Sequence, residues 1–431
     1  MSKKMKTTQS FHSTNKFWAI KFFILLILTF IITTSCDLTD PKKDKPKPEG
    51  YQEDIPWPSL ADSPWPIFQH DAQNTGRSKF SGPQSGAKIW EYDSVSIENG
   101  IVISKNGSVI FMTGNSPFGN GKIYSVNPDG SLGWNYNTNN QASGTTSLVM
   151  NDGKIISSTY IGGKIIALDQ KGNEIWNYNT GGYINCVNLT VGLDGSIYFV
   201  DTSRTLYVLN SNGKLQWTLK IEHSVFGNGI NPSLAFSPNG KILYTTGNKK
   251  ALYAVDIQTQ SVLWTYGDNF NVSPPVIDNS GNIYLCGKPK SDERTSITKL
   301  NSNGAKLWVK YWGNDNEPYF YSPTIDRNGN IYFGYDSLYC ITYNGNLKWK
   351  VDLFDSDNGS ILSNLTCDIN NNVYVPVEME NYSSKIMAFN SDGHIIWQSG
   401  LLKGHSGESP ALSDGKMFFP TYRSSKLYLI Q

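Results

Sequence analysis

The side chains able to do chemistry in this chain are few and scattered. The five histidines (12, 70, 223, 394 and 405) show no metal-ligand spacing, and no Gly-x-Ser-x-Gly, His-Glu-x-x-His or phosphate-loop pattern occurs. Asp326-Arg327-Asn328-Gly329-Asn330 has the start of a calcium loop but lacks the rest of the twelve-residue set, and it coincides with a hairpin signal, so it is read as a turn. Cys186, Cys286, Cys340 and Cys367 each lie inside an apolar run, as in Asn282-Ile-Tyr-Leu-Cys286. None forms a Cys-x-x-Cys pair, so they are expected to be buried free thiols, although sequence leaves a bridge open. What remains for recognition is aromatic. The stretch Tyr311-Trp312-Gly-Asn-Asp-Asn-Glu-Pro-Tyr319-Phe320-Tyr321, with Phe226, Phe270, Phe354 and His405 on other connections, is a candidate binding face for protein or for stacking on sugar rings.

The fifth cysteine, Cys36, has a different context. Five lysines precede the apolar run 22–32 (FFILLILTFII), which is too short to span a bilayer comfortably, so it is read as a secretion signal. Thr33-Thr34-Ser35-Cys36 follows and resembles the lipobox of bacterial lipoproteins, with Thr33 where an aliphatic residue is usual. The resemblance implies that the Cys36 thiol is acylated and becomes the first residue of the mature chain. That gives a signal peptide over 1–35, a lipidated cysteine with a Pro/Lys/Glu/Asp-rich flexible tether over 36–56, and a folded domain over 57–431. With the five leader lysines removed, the net charge of +1 becomes −4 and no basic surface run remains beyond Lys42, Lys43, Lys45 and Lys47 among prolines; nucleic acid is not an expected partner.

The elements that must carry these residues are marked by a repeat. A short apolar stretch ending in tryptophan recurs at Trp90, Trp134, Trp176, Trp217, Trp264, Trp308, Trp349 and Trp397, every 41 to 48 residues. Within each unit the order is strand, turn pair, strand, third strand, turn pair, Trp strand. The first turns are Asn106-Gly107, Asp152-Gly153, Asp194-Gly195, Asn239-Gly240, Ser280-Gly281, Asn328-Gly329, Asn371-Asn372 and Asp414-Gly415. The second run from Asp129-Gly130 to Asp392-Gly393, with Thr259-Gln260 as the exception. Such pairs predict two-residue type I′ hairpins. Glycine (39), tyrosine (24) and only 17% charged residues agree with turn-rich β structure. The fold class is therefore all-β: an eight-bladed β-propeller of four-stranded antiparallel blades.

Counting predicts how the ring shuts. The C-terminal 409–430 supplies three strands and no tryptophan, while 86–92 is a Trp strand with nothing before it; together they make one blade. The Trp residues are expected to fill the space between neighbouring blades. The connections between blades, and between second and third strands, vary in length and lie on one face, which is the candidate binding surface.

Four segments carry a wider resemblance. Ala254-Val-Asp256-Ile-Gln-Thr-Gln260-Ser-Val-Leu-Trp264 resembles the tryptophan-docking motif of the pyrroloquinoline-quinone-type (quinoprotein-like) propeller family, with Gln260 for glycine. Ala167–Trp176 and Ala388–Trp397 are one residue shorter, and Trp65-Pro-Ile-Phe-Gln-His70-Asp71-Ala-Gln-Asn74-Thr75-Gly76-Arg77-Ser78 is similar to the family's lead-in. The family's cofactor-using dehydrogenases hold the quinone beside a vicinal disulfide; no Cys-Cys pair exists here. The resemblance thus implies a propeller without pyrroloquinoline quinone or metal, nearest in architecture to the propeller lipoprotein of the outer-membrane β-barrel assembly machinery. The expected function is a non-enzymatic protein-interaction scaffold, a monomer tied by lipid to the bacterial cell envelope, on the periplasmic or surface side of the outer membrane. The alternatives are a quinone-dependent oxidoreductase and a glycan-binding surface lipoprotein using Trp312 and Tyr319.

Overall fold

The computed structural model describes residues 46–93, 97–114, 121–139, 141–222, 232–268, 270–289, 294–312, 321–353, 359–407, 409–422 and 426–431. Its strands form eight antiparallel sheets, each a meander of four strands, with a short fifth strand in two of them. First strands of successive blades touch one another and outer strands face solvent, as in a propeller. Burial follows position. The second and third strands are mostly buried, Val109–Thr113 and Ile197–Val200 wholly so, because a neighbouring blade covers each face. The outer strands alternate instead: Lys88–Asp93, Leu132–Asn137, Glu174–Asn179 and Leu347–Asp352 share one burial pattern, with the tryptophan half-buried and its flanking residues exposed.

The glycines of the turns differ in detail from expectation. Gly107 donates to the Ser104 carbonyl at 2.9 Å while Ser104 donates to Ser108 at 2.9 Å, which encloses three loop residues rather than two. Only the last of them is left-handed: Gly107 has φ 83° and Gly130 87°, whereas Asn106 and Asp129 do not have positive φ. A type I turn closed by a left-handed residue needs one such residue where type I′ needs two, so Asp, Lys or Ser is tolerated before the glycine. Asn371 (φ 63°) and Gln260 (φ 55°) fill the glycine position in the two turns without one.

Those glycines also explain the tryptophans. The rings of Trp90, Trp134, Trp176, Trp264, Trp308 and Trp349 lie against Gly130, Gly172, Gly213, Gly304, Gly345 and Gly393 of the next blade, so closely that a Cβ there would fall 2.4 to 3.1 Å from the indole or, at Gly345, equally close to Lys310. Five indoles also donate to a carbonyl of the following blade: Trp90 to Pro128 (3.1 Å), Trp134 to Gln170 (2.9 Å), Trp176 to Ser211 (3.2 Å), Trp349 to Ser391 (3.0 Å) and Trp397 to Pro83 (2.9 Å). At Trp217 the next turn carries Gln260 in place of glycine. There a buried carboxylate also joins the blades, Glu222 accepting from Tyr253 Oη at 2.8 Å and Lys249 N at 2.9 Å.

The ring closes as counted. Lys88–Asp93 pairs antiparallel with Lys426–Ile430, Trp90 opposite Leu429 and Tyr92 opposite Leu427. Because the chain ends replace a hairpin here, other bonds close the corner: Gln431 N donates to Ala87 O at 3.0 Å and Ser85 Oγ to Gln431 O at 2.5 Å. Lys426 Nζ reaches Glu91 at 2.7 Å and Asp93 at 2.5 Å, and its bond to Glu91, with that of Lys88, holds the Glu91 carboxyl down at about 2.

The docking contact is separable from backbone strain by comparing two alanines. Gly172→Ala meets both a left-handed φ of 83° and the Trp134 ring at 2.6 Å, whereas Gly181→Ala meets φ 77° with nothing within 4 Å. We expect Gly181→Ala to lose about 1 kcal/mol and Gly172→Ala about 2 to 4 kcal/mol in denaturant unfolding; equal losses would mean the indole contact contributes nothing.

Candidate functional site

The antiparallel meander puts the tight hairpins on one face of the ring and the long connections on the other. On the tight-turn face, the segment 57–82 runs across the central axis and bonds almost in order to the first strands of the blades and, in the last blade, to the first turn. Ile103 N donates to Trp65 O (2.7 Å), Val149 N to Pro66 O (2.8 Å), Phe236 N to Ala72 O (2.7 Å), Ile277 N to Gln73 O (2.9 Å), Ile325 N to Thr75 O (3.2 Å), Cys367 N to Gly76 O (2.9 Å) and Gly415 N to Ser81 O (3.0 Å). Trp57 Nε1 reaches the remaining blade at Val191 O, 2.7 Å. To follow so tight a path the backbone turns left-handed at Gln69, His70, Asn74 and Gly76. The lead-in to the repeats is thus a plug.

Residues 48–56 are packed on the same face, not free as composition suggests. Gln52, 1% exposed, donates from its backbone to Arg327 O (2.8 Å) and accepts from Asn279 N (2.9 Å); Glu53 O accepts from Arg77 (3.0 Å); and Asp54 pairs with Arg327 (2.6 Å) and lies 3.6 Å from Arg77. Arg77 is itself 2% exposed, so this strap supplies the counter-charge for a buried guanidinium. The folded unit therefore starts at Pro48. Strap and plug enclose a cleft of about 450 Å3 lined by Trp57, Asp62, His70, Asp71 and Lys79 among others. Burial opposes ionisation of Asp71, yet the adjoining His70, Arg77 and Thr75 hold its carboxyl below the usual range.

Buried acids on this face are structural. Asp278, Asp326 and Asp368 are fully buried, and each carboxylate accepts from an Asn amide four residues on (2.8, 2.7 and 3.2 Å) and a Tyr hydroxyl six residues on (3.0, 2.8 and 3.0 Å). The Asp326 oxygens are thus engaged within their own hairpin, in keeping with the turn reading. No cluster of metal-ligand type occurs among the described residues. Cys186, Cys286, Cys340 and Cys367 are buried and not disulfide-bonded, and burial pushes the thiols of Cys186 and Cys340 up to about 12, so those two are protonated and poor nucleophiles.

The opposite face carries the candidate residues that the structure describes, Trp312, Tyr321, Phe270 and His405, and they are dispersed. Trp312 is half-buried between blades, its ring 5.4 Å from Tyr339 and 6.1 Å from Phe333, so it packs the ring rather than presenting itself. Tyr321 is half-buried. Phe270 lies on a strand paired with Pro289. Tyr319, Phe320, Phe226 and Phe354 lie outside the described residues. His405 Nδ1 sits 2.6 Å from Glu378, whose other oxygen accepts from Ser406 N at 2.7 Å, and its ring meets Tyr382 edge-on at 4.7 Å.

Sequence reasoning missed the exposed tyrosines of this face. Tyr382 is 65% exposed, and Tyr160 and Tyr183 form an open pair 5.6 Å apart on neighbouring connections. Tyr311 stacks under Arg294 at 4.2 Å. The available signal was a single aromatic beside paired glycines in a non-hairpin connection, as in Tyr160-Ile-Gly-Gly163 and Gly181-Gly-Tyr183.

The strap makes a direct prediction by truncation. A chain starting at Pro48 keeps the unfolding midpoint of the mature protein. One starting at Trp57 loses about 3 kcal/mol, since Arg77 and Arg327 are left without Asp54 and Arg77 also without Glu53 O. Equal midpoints would show the strap to be an inert tether after all.

The chain matches the family described as outer membrane protein assembly factor BamB over residues 79–265 and 203–362, more than half its length. Among solved structures it is similar to BamB from Moraxella catarrhalis (TM-score 0.60, 14% identity, covering 80% of this chain and 99% of that one). It is also similar to the Dos1 propeller (TM-score 0.56, 8% identity, 81% and 94%) and to the C-terminal WD40 domain of Sif2 (TM-score 0.58, 10% identity, 81% and 99%). At these identities the likeness to solved structures is one of fold. A comparison with curated proteins finds no match. An eight-bladed ring of Trp-bearing outer strands, together with a family match spanning most of its blades, makes this chain a member of the outer membrane protein assembly factor BamB family.

Proposed function

We propose that the protein is a lipid-anchored scaffold of the bacterial envelope, without enzymatic activity or cofactor, that takes part in outer-membrane assembly by binding a protein partner through its long-connection face. Membership of the BamB family carries this reading. Three observations support it. Cys36 stands where a lipobox cysteine would. The tight-turn face is covered by the chain's own residues 48–82, which leaves the other face, among the described residues, as the uncovered one. That open face presents Tyr160, Tyr183 and Tyr382, amphipathic rings of the kind that anchor protein contacts. The glycan alternative loses one of its two residues, because Trp312 is packed between blades.

Affinity purification of the intact lipoprotein from native membranes is expected to recover outer-membrane assembly components. Tyr160→Ala combined with Tyr183→Ala and Tyr382→Ala should reduce recovery at least about tenfold, the effect of 1.4 kcal/mol, without moving the unfolding midpoint. Undiminished recovery would rule out the face, and recovery of no assembly component would rule out the role.

A further inference from the structure

We propose that the cleft between the tight turns of the fourth and fifth blades binds a neutral saccharide, at a site separate from the long-connection face and independent of the scaffold reading. A missing pair of side chains points to it. In the fifth, sixth and seventh blades the tyrosine of the second strand gives its hydroxyl to an aspartate that an asparagine amide also holds, as at Tyr284, Asp278 and Asn282. Tyr244 has the same place in the fourth blade, its ring 5.9 Å from Trp264 as that of Tyr284 is 6.1 Å from Trp308. There Ser237 stands for the aspartate and Ile242 for the asparagine: Ile242 N donates to Ser237 Oγ (3.0 Å) where Asn282 N donates to Asp278 Oδ1 (2.8 Å). Ser237 has no second oxygen to offer, and the wholly buried Tyr244 Oη is left without a partner.

Burial pushes the Tyr244 hydroxyl up to about 12, so it keeps its proton and stands as a donor lacking an acceptor, a costly state for a buried group. Trp264 beside it is not one of the five indoles that donate to the following blade. The cleft lined by these two rings measures about 570 Å3, inside the range of about 300 to 1,000 Å3 usual for small-molecule sites. Asn239, Asn279 and Asn303, three serines and the half-exposed Leu263 complete much of its wall. None of the lining residues is charged, and none belongs to the strap or plug. Amides and hydroxyls that both give and accept hydrogen bonds suit the hydroxyls of a sugar, and the apolar side chains suit its C–H faces. With no counter-charge in the wall, a phosphate, carboxylate or amine is disfavoured. Because Tyr244 lies at the floor, a sugar oxygen reaches its hydroxyl by displacing the half-buried Ile242 side chain.

Calorimetric titration of the full chain tests the site, with neutral gluco-, galacto- and manno-oligosaccharides, with and without N-acetyl groups, as probes beside sialylated and sulfated ones. At least one neutral oligosaccharide should bind saturably, and no acidic one more tightly. Tyr244→Phe should weaken that binding about three- to tenfold, the loss of one neutral hydrogen bond, while the unfolding midpoint holds or rises because an orphaned hydroxyl has gone. Ser237→Asp, which restores the acceptor of the neighbouring blades, should weaken binding at least as much, and so should Asn303→Ala at the exposed rim. Binding of no saccharide, binding of acidic ones alone, or binding unchanged in Tyr244→Phe and Ser237→Asp overturns the site. Recovery of assembly components from membranes is read separately, so either reading can fail without the other.

Discussion

An indole laid on a glycine of the neighbouring blade is the contact from which the rest of the molecule follows. A four-stranded sheet with two apolar faces is not stable by itself, and each blade here buries one face on the blade before and one on the blade after. The half-buried tryptophan of the outer strand fixes the distance and angle of that packing, since its ring lies flat on a Cα with no room for a Cβ. The glycine is therefore selected twice, by its left-handed φ and by the ring above it. Where Gln260 stands in place of the glycine, Glu222 bridges the same pair of blades through Tyr253 and Lys249, so this junction also carries a buried carboxylate.

Nearest-neighbour packing alone would leave two open ends. The N-terminal 48–93 removes them by serving in turn as strap, plug and fourth strand. The inner rim is laced as well: Gly100 to Thr146 (3.0 Å), Thr146 to Val187 (3.2 Å), Val187 to Pro232 (2.8 Å), Ser322 to Asn364 (2.7 Å) and Asn364 to Ser409 (2.7 Å). Covering one face in this way makes the protein two-sided. The functional reading depends on that asymmetry, because a scaffold needs one surface free and the other fixed.

Much of the fold was legible because its determinants are local and repeat. Tryptophan spacing, turn pairs and the unpaired strand at each end identified the blade count and the closing pair, now seen as Trp90 opposite Leu429. The candidate site was legible only in outline, since its determinants are not local. Residues 48–56 have a linker's composition, and what orders them is Arg77, Asn279 and Arg327, up to 275 residues away in sequence. Trp312 reads as a loop aromatic because sequence does not show Phe333 and Tyr339 meeting it from the next blade. Tyr160 and Tyr183 are single aromatics in separate connections, and only folding makes them a pair.

The central claim is that eight blades form one cooperative closed ring laced by the N-terminal segment. Native-state hydrogen exchange tests it most directly, because the amides of Val149, Phe236, Ile277, Ile325 and Cys367 donate to the plug, while Leu427 and Leu429 lie in the closing strand pair. The account predicts that all of these exchange only by global unfolding, with one common free energy of opening. Exchange blade by blade, with the plug-bonded amides opening well below the free energy of the closing strands, would contradict it.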